Sequence, residues 1–573
     1  MSEKKRICQL ETPFEKDESP WSEYPRPQFR RSSYLPLCGS WELSVLKDNN
    51  ETHLGEITVP YPPESRISGI NRMLSPLEKY IYKKRFTLPE NFIKSRVLLH
   101  FGAVDQLSRV WLNGEFLGEN AGGYLPFSFD ITDMLSDGEN QLTVEVTDAL
   151  DEELPYGKQR YKRGGMWYTP ISGIWQTVWL ESVPENYIGS VKLTPALDSI
   201  TTDVNGGREE KRIAIQTEKG EIVREWTGNS VTIPIENPIN WTPENPHLYS
   251  FTLTDGNDEI QSYFALRTIT IETVNGQAYI CLNGKPYFFH GLLDQGYFSD
   301  GIYTPASSQG YLWDIKTMKK LGFNMLRKHI KIEPDLFYYY CDKYGMIVFQ
   351  DMVNSGKYNF FIDTALPTAG IKRWIKHPAT PKRRMYFEQS ARLTAKQLYN
   401  HPCVCCYTIF NEGWGQYDAD RIYRELKQLD PSRVWDATSG WFSEKESDVQ
   451  SEHVYFRKIK LKADPGRPLV LSEFGGYSCK IENHSFNLDD NYGYKLFSTA
   501  EELTAGLYQL YKNEIIPAIE QGLCAAVLTQ VSDVEDETNG LVTYDRQLVK
   551  VDEKTMKEIS AQLFAAFYNN SGI

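Results

Sequence analysis

The sequence predicts a multidomain protein: a β-sandwich or jelly roll over residues 1–185, an immunoglobulin-like β-sandwich over 186–272, and a (β/α)8 TIM barrel over 273–573. Three observations carry this expectation. The chain has 573 residues, too many for one ordinary core, because domains usually run to one or two hundred residues and only barrels are larger. Its first half alternates apolar and polar residues with period two. Its second half repeats a different unit: helix, glycine, then a uniformly apolar strand.

In the first region, Leu142, Val144 and Val146 alternate with Thr143, Glu145 and Thr147, the signature of a strand buried on one face. Val110-Trp111-Leu112 runs into Asn113-Gly114, a pair that tolerates the left-handed backbone of a type I′ turn. Gly122-Gly123 and Asp137-Gly138 add further turns. Many short strands punctuated this way imply a sandwich or jelly roll. In the second region, Tyr249, Phe251 and Leu253 alternate with polar residues, as do Ile269 and Ile271. Fewer than a hundred residues of such strands suggest an immunoglobulin-like sandwich. The polar, glycine-containing stretch Asp203–Glu210 reads as a surface loop.

In the third region, Leu312, Ile315, Met318 and Leu321 lie three apart and Gly322 follows. Leu336, Phe337, Tyr340, Cys341 and Tyr344 keep helical spacing, and Gly345 precedes the apolar run Met346–Phe349. Glycine just after a helix takes the left-handed conformation that closes it. Ser498 and Glu501 match a capping box, and Gly522 precedes Leu523–Leu528. Helices alternating with wholly apolar strands imply a parallel sheet covered on both faces, and about 300 residues of this pattern fit a (β/α)8 barrel with long loops.

Composition excludes several functions. The net charge is −14 with a pI near 5.3, so phosphate backbones are repelled and no nucleic acid partner is expected. The start, MSEKKRICQLETPFEKDE, has no apolar run and does not read as a secretory signal. No window of eighteen apolar residues exists, so no membrane partner is expected. Nine scattered cysteines fit reduced thiols and a cytoplasmic location. Cys403, Cys405 and Cys406 sit in an apolar run that reads as a buried strand. The acidic run Asp533, Glu535, Asp536 and Glu537 lacks the spacing of a calcium loop and reads as a hydrogen-bonded loop. No metal and no organic cofactor are expected. Aromatics reach 13%, which suits sugar faces and β-strands equally.

Reactive groups in a barrel sit just past the C-terminal ends of its strands. Three apolar runs end in a carboxylate: Val404–Phe410 in Asn411-Glu412, Pro468–Leu471 in Ser472-Glu473, and Ile347–Phe349 in Gln350-Asp351. Retaining hydrolysis of a glycosidic bond needs two carboxyl groups about 5–5.5 Å apart, one protonated and one ionised. An ion pair or helix cap explains either glutamate alone equally well. Two apolar strands of one barrel, each ending in Glu, favour catalysis. Asp294, His329 and Asp351 fall at expected strand ends and are candidates for sugar hydroxyls or for structural support. His453 reads as a satisfied polar residue at a strand end. Trp414 and Trp441 fall in loops at the expected mouth and are candidates to stack on a sugar, with plain loop packing the rival reading for each.

Nearly the whole chain resembles glycoside hydrolase family 2, in the group of β-galactosidases and β-glucuronidases. The resemblance is carried by Tyr24-Pro25-Arg26-Pro27-Gln28, Gly39-Ser40-Trp41-Glu42, Trp111-Leu112-Asn113-Gly114, Gly173-Ile174-Trp175-Gln176-Thr177-Val178-Trp179, and the Asn411-Glu412 and Ser472-Glu473-Phe474-Gly475 segments. It implies a jelly-roll, an immunoglobulin-like domain and a barrel, with Glu412 as general acid/base after the fourth strand and Glu473 as nucleophile after the seventh. It also implies that Arg327 contacts the nucleophile, that Asn411 contacts the sugar 2-hydroxyl and that Tyr455 orients the nucleophile. The expected activity is retaining exo-β-glycosidase on a carbohydrate substrate. With no basic cluster demanding a uronate carboxylate, β-galactosidase is favoured over β-glucuronidase or β-mannosidase. A non-catalytic carbohydrate-binding protein is the rival class. Large enzymes of this kind often pair, so a homo-oligomer fits. The chain departs from the family pattern twice. Phe289–Gln295 replaces an Arg-Gly-Val stretch, and Leu528-Thr529-Gln530 stands where a tryptophan often ends the eighth strand.

Overall fold

The computed structural model describes residues 7–14, 20–208, 210–368, 371, 378–442, 444–464 and 466–572. Much of the N-terminal stretch MSEKKRICQLETPFEKDE lies outside them.

The first region forms two facing antiparallel sheets. One has six strands, in the order Asn50–Val59, Gly39–Lys47, Lys79–Phe86, Asn140–Thr147, Leu107–Leu112 and Glu115–Ala121. The other has four, built on Val178–Val183 and Arg96–Phe101. Trp41, Tyr82, Val110 and Val144 from the first sheet and Leu99 and Leu180 from the second share one buried core. Asn113 and Gly114 form the predicted turn, with φ of 52° and 86°. The second region pairs a three-stranded with a four-stranded sheet around Ile200, Ile213, Phe251 and Leu253. Here the expected loop at 203–210 is corrected. Asp203 lies inside the strand Ser199–Gly206, opposite Lys192 and Ser230, and Glu210 opens the next strand. Backbone pairing on both sides outweighs the polar composition, and Glu209 lies outside the described residues.

The third region is an eight-stranded parallel barrel. Its strands are β1 (Phe289–Asp294), β2 (Met325–Lys328), β3 (Ile347–Asp351), β4 (Val404–Asn411), β5 (Val434–Ser439), β6 (Gln450–Val454), β7 (Leu469–Gly475) and β8 (Leu523–Thr529). They run in the order β5-β4-β3-β2-β1-β8-β7-β6, so the ring lacks ladder pairing only between β5 and β6. Helices α1 (Gln309–Lys320), α2 (Asp335–Tyr344), α3 (Pro381–Gln397) and α4 (Ala419–Leu429) fill the first four crossovers. Helix α5 (Ala500–Leu510) precedes β8 and α6 (Glu553–Ser571) follows it. Among the described residues no helix joins β5 to β6 or β6 to β7. Every residue of β3, β4, β5, β7 and β8 is buried, as strands covered on both faces must be. Cys403, Cys405 and Cys406 are buried at the start of β4. The capping box is displaced by one residue. Thr499 Oγ1 accepts from Glu502 N at 3.2 Å, and the Glu502 carboxylate reaches back to Ser498 N at 3.0 Å. The α5 N-cap is therefore Thr499, not Ser498.

The first sandwich reaches into the barrel mouth. Tyr156 N donates to Asn354 O at 3.1 Å and its hydroxyl to Gly356 O at 3.0 Å. Tyr124, Trp167 and Trp175 from the sandwich and Tyr303, Ile330 and Trp414 from the barrel loops share one buried cluster. Residues 154–168 thereby become a wall of the cleft above the strands.

Candidate active site

The C-terminal ends of β2, β3, β4, β6 and β7 converge on Arg327. Its guanidinium is buried, and each nitrogen is committed. Nε donates to Asp351 Oδ1 at 2.9 Å. Nη1 donates to Glu473 Oε1 at 3.0 Å and to Ser472 O at 2.9 Å. Nη2 donates to Asn411 Oδ1 at 2.9 Å and to Ser439 Oγ at 3.0 Å. A planar fork of five donors suits such convergence, which a lysine could not reproduce. Arg327 thus fixes one glutamate directly and positions the residue before the other.

Glu473 is 4% exposed. Its Oε2 accepts from the Tyr455 hydroxyl at 2.5 Å, and that hydroxyl also lies 2.8 Å from Thr529 Oγ1. Burial pushes the carboxyl upward, but His453, Arg327 and His329 together outweigh it and hold Glu473 down at about 2. Burial and the neighbouring carboxylate push the Tyr455 phenol far above its ordinary value, so it stays protonated and donates. Gly475 and Gly476, with φ of 85° and 62°, let the chain turn away directly after this residue.

Glu412 follows β4 with φ of 55°, a left-handed backbone uncommon for a residue with a side chain. This lifts the carboxylate off the strand line and towards β6. There His453, wholly buried, sits 2.9 Å from Glu412 Oε1 and 3.6 Å from Glu473 Oε2 through its Nδ1. His453 Nε2 lies 3.3 Å from Arg327 Nη1, which can only donate. Nδ1 is thus the His453 nitrogen that faces both glutamates, and Nε2 faces Arg327. One atom from each of Glu412, His453 and Glu473 fall within 4.8 Å of one another. At least one oxygen of each glutamate therefore lies within 4.8 Å of one oxygen of the other.

The other expected residues divide. Asp351 holds both Arg327 and His329, the latter at 2.7 Å from Oδ2, and so supports the site from below. His329 Nε2 is buried without a hydrogen-bond partner, and burial followed by the Lys158 charge pushes His329 well below its ordinary value. Asp294 is engaged by Lys328 Nζ at 3.0 Å and Gly296 N at 2.9 Å, which makes it a structural partner. Trp441 lines the cleft beside Glu412. Trp414 does not stack over the mouth as expected: it is 3% exposed, donates to Gly356 O at 2.7 Å and packs edge-on against Tyr156 and Trp167. An indole that finds a buried acceptor and aromatic neighbours packs inward. The acidic run is buried and paired: Lys550 holds Asp533 at 2.6 Å, Arg163 holds Asp536 at 3.0 Å, and Tyr168 donates to Glu537.

Sequence reasoning underrated His453 and missed Ser439, Tyr494 and Arg160. Tyr494 stacks on Tyr455 at 4.0 Å, and Arg160 comes from the first sandwich. The apolar-strand rule finds residues that end strands, and these last two lie on connections.

Two glutamates brought together at the ends of β4 and β7 of one barrel define the class, a barrel built as in carbohydrate hydrolases. Family comparison makes it particular. Residues 35–184 match the sugar binding domain of the glycosyl hydrolases family 2, residues 186–267 match the glycosyl hydrolases family 2 model, and residues 273–564 match that family's TIM barrel domain. The chain belongs to glycoside hydrolase family 2. It is 26% identical over 490 residues to a β-galactosidase of Pseudoalteromonas haloplanktis, covering 76% of this chain and 44% of that protein. It is 24% identical over 397 residues to a putative β-glucuronidase of Formosa agariphila, covering 64% and 35%. The chain thus spans less than half the length of these curated relatives. Its fold is similar to a β-D-glucuronidase of Dictyoglomus thermophilum, with a TM-score of 0.73 at 19% identity over 94% of this chain and 98% of that one. It is also similar to a β-galacturonidase of Eisenbergiella tayi, with a TM-score of 0.69 at 18% identity over 95% and 99%.

Proposed function

We propose that this protein is a retaining exo-β-glycosidase, with β-galactosides as the favoured substrate class. The observation that carries the reading is the approach of Glu412 and Glu473 to within 4.8 Å around His453. Glu473, ionised, attacks the anomeric carbon while Glu412 protonates the departing oxygen. Glu412 then takes a proton from water, which releases the sugar with its configuration retained. Arg327 and Tyr455 hold the nucleophile ionised and aimed. Asn411, its oxygen engaged by Arg327 and Ser439, offers its amide hydrogens to the sugar 2-hydroxyl. The galactoside preference draws on the β-galactosidases among the curated relatives. A cytosolic setting is supported by nine cysteines, all free. No helix among the described residues is long and apolar enough to cross a membrane.

The test is Glu473→Ala assayed on an aryl β-glycoside. Turnover falls by at least 10⁴-fold with the fold intact, and azide restores release as an α-glycosyl azide. Near-normal turnover without azide rejects the assignment. A non-catalytic carbohydrate binder would release no chromophore from any member of an aryl β-glycoside panel. A second reading, a β-uronidase, is favoured by Lys158. This residue makes no ion pair among the described residues, yet its charge acts on Glu473 and His329. Glucuronide, galacturonide and mannoside members of the same panel decide between the sugars.

A further inference from the structure

We propose that the leaving-group side of the cleft is built for a planar aromatic aglycone bearing an acidic substituent; the placement rests on the glycosidase reading above. The cleft, about 660 Å³, is lined by Glu412 and not by Glu473. Its open volume therefore lies where the general acid meets the departing oxygen, with the nucleophile in the floor beneath. Across that volume stands Arg160. Its guanidinium carbon lies 3.6 Å from the centre of the Trp167 ring and 5.6 Å from that of Tyr358. Trp167 and Tyr358 meet edge-on at 5.1 Å and make a rigid corner behind it. Among the described residues Arg160 pairs with no carboxylate.

The Arg160 guanidinium, stacked on Trp167, also meets the Tyr156 hydroxyl, and it keeps its opposite face and its remaining N–H groups for a ligand. The face takes a second flat ring, and the edge takes an anion bidentately. Two phenylalanines, Phe360 and Phe456, line the same cleft while 63% and 62% exposed. Large apolar side chains left open around a cleft mark a surface that a ligand covers. A neutral sugar can stack on these rings but brings no charge for Arg160, whereas an aromatic acid brings both a flat ring and a carboxylate. The wall carrying Arg160 and Trp167 comes from the first sandwich, so the aglycone would be chosen by a different domain from the one that holds the glycone.

The experiment measures binding of 3-carboxy-4-nitrophenol and 4-nitrophenol to the full chain by calorimetry, then compares kcat/KM on their β-glycosides of whichever sugar the panel selects. The carboxylated phenol is expected to bind at least tenfold more tightly. Arg160→Gln is expected to erase that difference and Arg160→Lys to keep part of it. Phe360→Ser, on the exposed rim, is expected to weaken both phenols alike. Equal affinity of the two phenols for the native protein overturns the proposal, as does an Arg160→Gln loss that is the same for both. Preferential binding of a neutral disaccharide over either phenol overturns it too. Because the binding arm needs no turnover, tight phenol binding without hydrolysis would reject the glycosidase reading and leave the aromatic-acid site standing.

Discussion

Tyr455 shows how one atom can be worth a measurable rate. Its hydroxyl donates to Glu473 Oε2 at 2.5 Å and is shared with Thr529. A hydrogen bond to a charged group contributes about 1.5–3 kcal/mol. Tyr455→Phe should therefore lower kcat on an activated aryl glycoside by about tenfold to a hundredfold while KM changes little. Steady-state kinetics check this, and a change confined to KM would place Tyr455 in substrate binding instead. The pH dependence of kcat/KM should be bell-shaped, as for a general acid and a nucleophile that act together.

At the scale of elements, one buried carboxyl cluster in the first sandwich joins Glu64, Asp105 and Asp148. Glu64 is buried with Ser172, whose hydroxyl and amide approach its two oxygens at 2.6 and 3.0 Å. Burial, reinforced by Asp148, raises the Glu64 carboxyl from 4.5 to about 8. Asp148 is itself raised by burial to about 7, and burial with Asp148 beside it pushes Asp105 well upward. Because the folded values lie above the unfolded ones, this cluster's contribution is fully present below about 4.5 and is lost as pH rises through about 8. The melting temperature should fall between pH 5.5 and pH 8.5. Glu64→Gln removes the ionisable proton, and its carbonyl can accept from Ser172 N while its amide donates to Ser172 Oγ, so it should raise melting at both pH values and by clearly more at pH 8.5 than at pH 5.5. Thermal scans at the two pH values decide; an equal shift at both would show that ionisation of Glu64 is not the cause.

On the scale of the whole molecule, buried ion pairs join the domains alongside apolar contact. Arg31 joins Glu181 of the first sandwich at 3.1 Å to Asp258 of the second at 2.9 Å, all buried. Removing the cation leaves Asp258 buried without a cation, while Glu181 keeps Arg26 at 2.7 Å, and breaking a buried pair in this way costs about 3–5 kcal/mol. Arg31→Met should lower the calorimetric melting temperature and separate the transition of residues 186–272 from the rest. A single unshifted transition would show that the sandwiches hold each other by apolar contact alone.

Strand-and-helix alternation was legible because local sequence sets it: the period-two runs, the Asn113-Gly114 turn and the apolar strands of the barrel depend on neighbours in the chain. Both glutamates were legible for the same reason, since each ends an apolar run. The polar 203–210 stretch was misread because its strand is imposed by pairing with residues far along the chain. Trp414 was misjudged because only packing against Tyr156 and Trp167 shows which way its ring turns. His453 and Arg160 gained their places from side chains more than a hundred positions away or from another domain's wall. The sequence by itself determined which carboxylates stand at strand ends, since that is a matter of local pattern. The tertiary structure alone decided how they are charged, bridged and walled, since those are through-space effects of distance and burial.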